Sequence, residues 1–341
     1  MLAVKFSTKT ACRLIFGVTL SITVTVLTIW GSMAILHADL SYPSWVRYTL
    51  TGLYVMCGFT GCIALRLRRM VLLVPFAFGF LIICGWWYSI TPQNDRQWQA
   101  DVSKLPSAEI NGEMVRIRNI RNFKYSTETD FIPYWYDKTV DLKKLNSIDL
   151  FAVYWMGDAI AHTIVSFGFE GQRIAFSIET RKEVGESYST LGGLFRKYEL
   201  YYVVGDERDL IGLRTTHRNP PEDVYLYRVK AKKEGMRRLF LEYIHQINSL
   251  NRQPEFYNTL TTNCTTNIVM HVRAFTDRLP LSWKMLASGY FPELLHDVGA
   301  LHEELSYAEL RTLSLINSKA RRAEGSENFS QFIRMGLPGI P

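Results

Sequence analysis

The sequence has no Cys-x-x-Cys pair, no His-Glu-x-x-His and no zinc-finger spacing, so the patterns of a structural zinc or a zinc hydrolase are missing. It has no RNP motif and no arginine-rich run, which argues against nucleic-acid binding despite a net charge of +7. Internal repeats, low-complexity segments and any motif for a dissociable cofactor are also lacking. Cysteine is scarce: of five, Cys12, Cys57, Cys62 and Cys84 fall in the first ninety residues, and Cys264 stands alone beyond them. Structural cysteines in an oxidising compartment come in pairs. A lone one there is a small buried hydrophobe, an intermolecular bridge or a working thiol.

Charge is missing from three long stretches. Residues 14–36, 48–65 and 70–90 are apolar and each approaches the roughly 20 residues that a membrane crossing needs. A signal peptide fits the first poorly, because its apolar run is too long and no small-x-small site precedes a soluble region. Three such stretches, with charges only between them, predict a three-helix anchor over residues 1–90. Lys5, Lys9 and Arg13 precede the first span, and Arg66, Arg68 and Arg69 fill the second loop, whereas the first loop holds Arg47 and Asp39. The excess of basic residues places the N-terminus and second loop in the cytoplasm. Trp86, Trp87 and Tyr88 then mark the outer interface, and everything after about Thr91 is expected outside. In a two-membrane bacterium that is the periplasm, and the protein belongs to the inner membrane.

The 341 residues leave room for one sizeable outer domain. Residues 91–112, with Pro92 and Pro106, read as a linker. Residues 113–300 carry the domain, and 301–341 a helix (about His302 to Ala323) and a tail. Alternation predicts strands over Glu113–Tyr125, Ala161–Phe169, Arg173–Thr180, Leu200–Val204 and Val224–Val229, with a hairpin turn at Glu170-Gly171-Gln172. Met236, Leu239, Phe240, Tyr243, Ile244 and Ile247 recur at helical spacing in Lys233–Asn251. Strands with segregated helices give an α+β domain.

The surroundings of Cys264 favour the working thiol. Thr261-Thr262-Asn263 supplies helix-capping residues, and Ile268, Val269, Val272 and Phe275 continue a helical period. Cys264 then lies in the first turn, where free N–H groups and the positive helix end stabilise a thiolate. The same N–H groups can hold an oxyanion. Cys264, Ile268, Val272 and Phe275 share one face, so the thiol points toward the core.

A nucleophilic thiol needs a base. There are seven histidines. His37 belongs to the first membrane loop. His271 shares the helix of Cys264 but sits roughly 10 Å along it, too far to take its proton. His245 is inside another helix, His217 precedes Asn-Pro-Pro, and His296 and His302 fall in the C-terminal helical region. His162 begins a strand, a rigid place for a catalytic imidazole. With a turn at Gly171-Gln172, Ile164 faces Glu179 and His162 faces Arg181. His162, Ser177 and Glu179 then share a face, with Glu179 the nearer acceptor and Ser177 one step further. The competing reading pairs Glu179 with Arg181 at the surface.

Together, His162-Thr-Ile-Val-Ser-Phe-Gly-Phe, Ile178-Glu179-Thr-Arg181, Gly205-Asp-Glu-Arg-Asp209 and Phe256-Tyr257-Asn-Thr-Leu-Thr-Thr-Asn263-Cys264-Thr-Thr-Asn resemble the Lnb N-terminal periplasmic domain family. The resemblance runs from about Pro92 to Phe291. That family is similar to permuted NlpC-type papain-like proteins, in which the histidine strand precedes the cysteine helix. The resemblance implies a permuted papain-like domain of antiparallel sheet plus helices, with His162 and Cys264 as its catalytic pair and an acyl-enzyme on Cys264. It further implies lipoprotein N-acylation, with phospholipid as acyl donor and the α-amine of a lipidated cysteine as acceptor. Asn263, Ser177, Tyr257 and Arg214 are candidate supports, Arg214 as a phosphate ligand. Glu207, Asp209 and Tyr188 lie in recurring segments, and the charges read as solvated or as ion-pair scaffolding. Catalytic Cys264, His162 and Glu179 thus predict a membrane-apposed acyltransferase or lipid hydrolase. A cell-envelope amidase or peptidase, and a non-catalytic binding module, are the alternatives.

Overall fold

The protein is described from a computed structural model, which covers residues 8–38, 42–274 and 279–340. Lys5, Asp39 and Phe275, used above, lie outside the described residues, as does the side chain of Lys9. The chain forms two compact units: residues 1–92 with 189–197, and residues 93–188 with 198–341.

The first unit holds α1 (Thr8–His37), α2 (Ser44–Arg66) and α3 (Val74–Ser89), the last entered by a 3-10 turn over Met70–Leu73. Cys12–His37, Ser44–Arg66 and Met70–Ser89 are long and apolar enough to cross a membrane. Proline is tolerated in the first turn of a helix, so Pro75 starts α3 without breaking it. The absence of a side chain at Gly58 lets α1 and α2 approach closely: a Cβ there would meet Thr28 Oγ1 at 2.2 Å. Residues 189–197 belong to this unit through Phe195, buried among the helix side chains, and Arg196. Arg196 lies 3.9 Å from the Trp87 ring centroid and donates to the carbonyls of Trp87 and Ile90.

The second unit is α+β. Its strands are β1 (Ser107–Asn111), β2 (Met114–Arg121), β3 (Lys124–Tyr125), β4 (Phe131–Ile132), β5 (Trp135–Asp141), β6 (Leu145–Tyr154), β7 (Ala161–Phe169), β8 (Gln172–Arg181), β9 (Glu199–Gly205) and β10 (Asp223–Val229). Its helices are α4 (Glu207–Gly212), α5 (Lys233–Arg252), α6 (Cys264–Arg273), α7 (Phe291–Asp297), α8 (Tyr307–Leu313), α9 (Asn317–Arg322) and α10 (Phe329–Phe332). One sheet runs β1-β2-β9-β8-β7-β6-β10, with β5 also on β2, while β3 and β4 pair apart. The expected antiparallel sheet is in fact mixed, because β2 meets β9 in parallel at Arg121 and Gly205.

The centre of the sheet is covered on both faces, so β7 and β8 are buried along nearly their whole length. On one face Phe167 and Phe176 pack edge-on against Phe240 and Tyr243 of α5, the predicted amphipathic helix. On the other, Phe151, Ala175 and Val203 pack with Ile316, Ala320, Phe329 and Ile333. The segment read as a linker is thus structured, since residues 107–111 form β1 and Val102 is buried in this second core. The helix expected over His302–Ala323 is two helices. Between them Ser314 accepts from Leu226 N and Ile316 N donates to Val224 O, so the backbone bonds to β10 instead of continuing a helix.

The β7–β8 hairpin turns through Glu170 and Gly171, both at positive φ, which is the backbone of a tight two-residue turn. Ile164 therefore faces Ser177, not Glu179. The shift from the expected register is two residues, so the side chains keep their faces.

Candidate active site

Asn263 caps α6. Its side chain accepts from Thr266 N at 2.9 Å, and Thr266 Oγ1 accepts from Asn263 N at 2.9 Å. Asn263 Nδ2 also donates to Thr259 O at 2.7 Å, fixing the approach of the chain. This reciprocal cap places Cys264 at the first helical position. There its amide and that of Thr265 have no acceptor within the helix.

Pairing between β7 and β8 ends at Ile164 and Ser177. Beyond that point the edge of β7 is open, and the start of α6 sits against it. Thr163 and Thr265 hydroxyls are 3.4 Å apart. Cys264 is buried, its Sγ 3.9 Å from Thr265 Oγ1, and the His162 ring and Thr163 lie close enough to act on its thiol. Burial alone would push the thiol up. The His162 charge and hydrogen bond, with help from Thr163, instead bring it down to about 6. The imidazole answers in kind. Burial opposes its charge, but Cys264 and Glu179 raise it above the ordinary histidine value. The two shifts are coupled, each charge favouring the other.

Behind His162 stands a chain of polar groups. Nε2 lies 2.6 Å from Ser177 Oγ and 3.6 Å from Glu179 Oε1. Ser177 donates to Glu179 at 2.6 Å. With Nε2 so engaged, Nδ1 is the nitrogen left for the thiol. Glu179 accepts from Arg214 Nη2 at 2.8 Å. Burial would raise the Glu179 carboxyl, but Arg214 and His162 hold it well below the usual range. Arg214 is itself buried. It donates to Leu210 O at 2.8 Å and lies 3.9 Å from Glu222, which also pairs with Arg218. Arg214 sits in a π-helical turn, Leu213–His217, that continues α4. Tyr257 is buried close to Cys264, and burial, then the Cys264 charge, raises its phenol.

The structure thus brings Cys264, His162, Ser177, Glu179, Asn263, Tyr257 and Arg214 into one neighbourhood. Ser177, not Glu179, is the nearer partner of the imidazole, because its short side chain lies between the two. The surface pair Glu179–Arg181 does not form. Arg181 is buried, donates to Val102 O and Asn94 Oδ1, and lies 4.1 Å from the Trp98 ring centroid. The Arg214 guanidinium is directed at Glu179, which leaves the phosphate-ligand reading without support.

The other histidines are elsewhere. His271 Nε2 is 2.8 Å from Tyr202 Oη, and burial lowers its pKa to about 4. His217 faces Glu324, His302 faces Glu304, and His296 bonds Leu305 O. Glu207 and Asp209 are buried ion-pair members, not solvated charges. Asp209 accepts from Arg121 at 2.9 and 3.1 Å, and Glu207 from Arg334 at 2.6 and 2.7 Å. Asp149, which joins Arg173, Arg228 and Arg334, escaped the sequence reading. So did Thr163, although it adjoins His162 in the strand.

Among the described residues, no group of three or more metal-ligating side chains could hold a metal ion. Fold and site together define a membrane protein whose α+β domain carries a buried cysteine–histidine pair. Residues 132–289 match the family model described as the Lnb N-terminal periplasmic domain, the family that the sequence motifs resemble. Comparison with curated proteins gives no match, and comparison with solved structures gives none.

Proposed function

We propose that this protein is a membrane-tethered thiol acyltransferase that works through an acyl-Cys264 intermediate. The observation that carries the reading is the pairing of Cys264 with an imidazole backed by Ser177, Glu179 and Arg214. A buried structural cysteine has no need of such a chain.

His162 holds the thiol proton, and the Cys264 thiolate attacks the carbonyl carbon of a lipid ester. A C–S bond forms, and the oxyanion rests on the amides of Cys264 and Thr265. The tetrahedral species collapses, the ester C–O bond breaks, and His162 returns its proton to the leaving alkoxide. An acceptor amine then attacks the thioester, His162 takes the amine's proton, a C–N bond forms and the thiolate is regenerated. Three apolar helices keep the domain beside its lipid donor, which favours lipid chemistry over soluble peptide cleavage. The basic residues around the spans favour a cytoplasmic N-terminus, with the Cys264 domain in the periplasm. Phospholipid is the donor and a lipidated N-terminal cysteine the acceptor in this reading.

The test is labelling of Cys264 in membranes by a thiol-reactive acyl probe at neutral pH. Fast labelling that drops about 10²–10⁴-fold in His162→Ala, the range of a positioned base, and is absent in Cys264→Ser, is expected. Slow labelling unchanged by His162→Ala would sink the dyad and leave a binding module as the better reading.

A further inference from the structure

A groove of about 900 Å³ lies along α6 on the side away from the thiol, between that helix and residues 279–286. Val269, Met270, Leu281, Trp283 and Leu286 line it, and Arg273 supplies the single charge among its described lining residues. Leu281 is 86 % exposed, and Trp283 and Leu286 more than 60 %, within six residues of chain. Isolated exposed apolar residues are ordinary, but a contiguous set around a groove marks an interaction surface. The segment is held firmly: Arg273 donates to Leu279 O, and Lys284 pairs with Glu293 and Asp297. Its side chains are therefore presented by a fixed backbone.

We infer that this surface, Met270 with Leu281, Trp283 and Leu286, inserts into the lipid bilayer interface. Two observations select lipid over other occupants. The last membrane helix ends at Ser89 and the second unit starts at Gln93, so three intervening residues can span only about 10–14 Å. The unit is therefore tethered at a bilayer and must turn some surface toward it. Tryptophan and leucine beside an arginine are also the composition that settles at the headgroup boundary, with the cation facing anionic lipid. The groove's walls are built from the same elements that position the candidate active site. Thr266, on its wall, closes the cap of the Cys264 helix. Ser288 and Gly289, which follow the exposed segment, bond to Ala161 N and Ala159 O just before His162.

The test uses the full chain with its native cysteines in liposomes containing anionic lipid. A benzophenone side chain is placed at Leu281→p-benzoylphenylalanine, and at Met335→p-benzoylphenylalanine as another exposed position of the same unit outside the patch. Illumination followed by intact-mass measurement reads the adducts. Lipid adducts at position 281, severalfold above those at 335 and reduced severalfold by Leu286→Glu, are expected. Equal yields at the two positions overturn the proposal. Protein–protein adducts at 281 in place of lipid also overturn it and assign the surface to a second copy. None of these outcomes depends on thiol chemistry, so a failure here is separable from a failure of the acyltransfer reading.

Discussion

At the scale of single residues, the chemistry depends on how far the surroundings move two protons. The Cys264 thiol is lowered to about 6 and the His162 imidazolium is raised. A lowered folded-state pKa means that the thiolate contributes stability at high pH, and that this is lost as pH falls through about 6. Alkylation of Cys264 is therefore expected to rise with pH through about 6, not through the free-thiol value near 8.5. His162→Ala removes the counter-charge while burial remains, so the inflection should move to the free value or above it. A profile unmoved by His162→Ala would place the acidifying influence elsewhere. Ser177 and Glu179 can be ranked in the same assay at neutral pH. Ser177→Ala breaks the shorter bond but leaves Glu179 at 3.6 Å from Nε2. Glu179→Gln removes the charge that favours imidazolium and strands Arg214. The expected order of rates is wild type, Ser177→Ala, Glu179→Gln, with about tenfold lost in the last for each unit the thiol pKa climbs above the assay pH. Equal losses would make the serine an obligatory bridge.

At the scale of elements, the decisive arrangement is a helix start set against the open end of a hairpin. Asn263→Ala removes the side-chain half of the reciprocal cap and keeps the bond from the residue 263 N–H to Thr266 Oγ1. It should cost about 1 kcal/mol of stability and raise the alkylation inflection, while Thr261→Ala should do neither. Denaturant melts paired with the pH profile would check this, and an unchanged inflection would assign the thiol pKa to His162 alone. The same elements show what a sequence can disclose. The start of α6 is legible because capping residues and a helical apolar period meet at Asn263-Cys264. The face shared by His162, Ser177 and Glu179 is legible because a two-residue error in turn position preserves parity in a strand. Arg214 behind Glu179 is not, since nothing local to residue 214 tells which carboxylate, 35 residues away, its π-helical turn will meet. Nor is the mixed sheet, because a single parallel pairing between β2 and β9 leaves no mark on either strand's alternation. The helix predicted over His302–Ala323 fails for a related reason: hydrogen bonds to β10 outcompete helical ones at Leu315, and a helical period cannot anticipate a distant strand.

At the scale of the whole molecule, charge buried beneath the second core ties distant segments together. Asp149 and Glu207 are fully buried, and Arg334 reaches both. Burial alone would raise the Glu207 carboxyl, but Arg334, Arg173 and Ser166 lower it to about 2. Its contribution to stability is thus complete above the unfolded carboxylate value near 4.3 and lost as pH falls toward about 2. Arg334→Ala leaves Glu207 buried without its guanidinium and should cost about 3–5 kcal/mol, with partial recovery in Arg334→Ala combined with Glu207→Gln. Thermal melts of the full chain in detergent at pH 7 and pH 3 check both statements. Membrane topology is tested at the same scale. Alkaline phosphatase fused after residue 341 should be active, and a fluorescent protein there dark, whereas the reverse pattern would put the Cys264 domain in the cytoplasm.

The Arg334 pairing also bears on how the molecule is made. A ribosome delivers the chain from its N-terminus, and Glu207 is synthesised 127 residues before the arginine that neutralises it. Until that arginine arrives, the carboxylate cannot be sealed into the interior at low cost. All ten strands, the last ending at Val229, are thus synthesised before the ion pair between Glu207 and Arg334 can form.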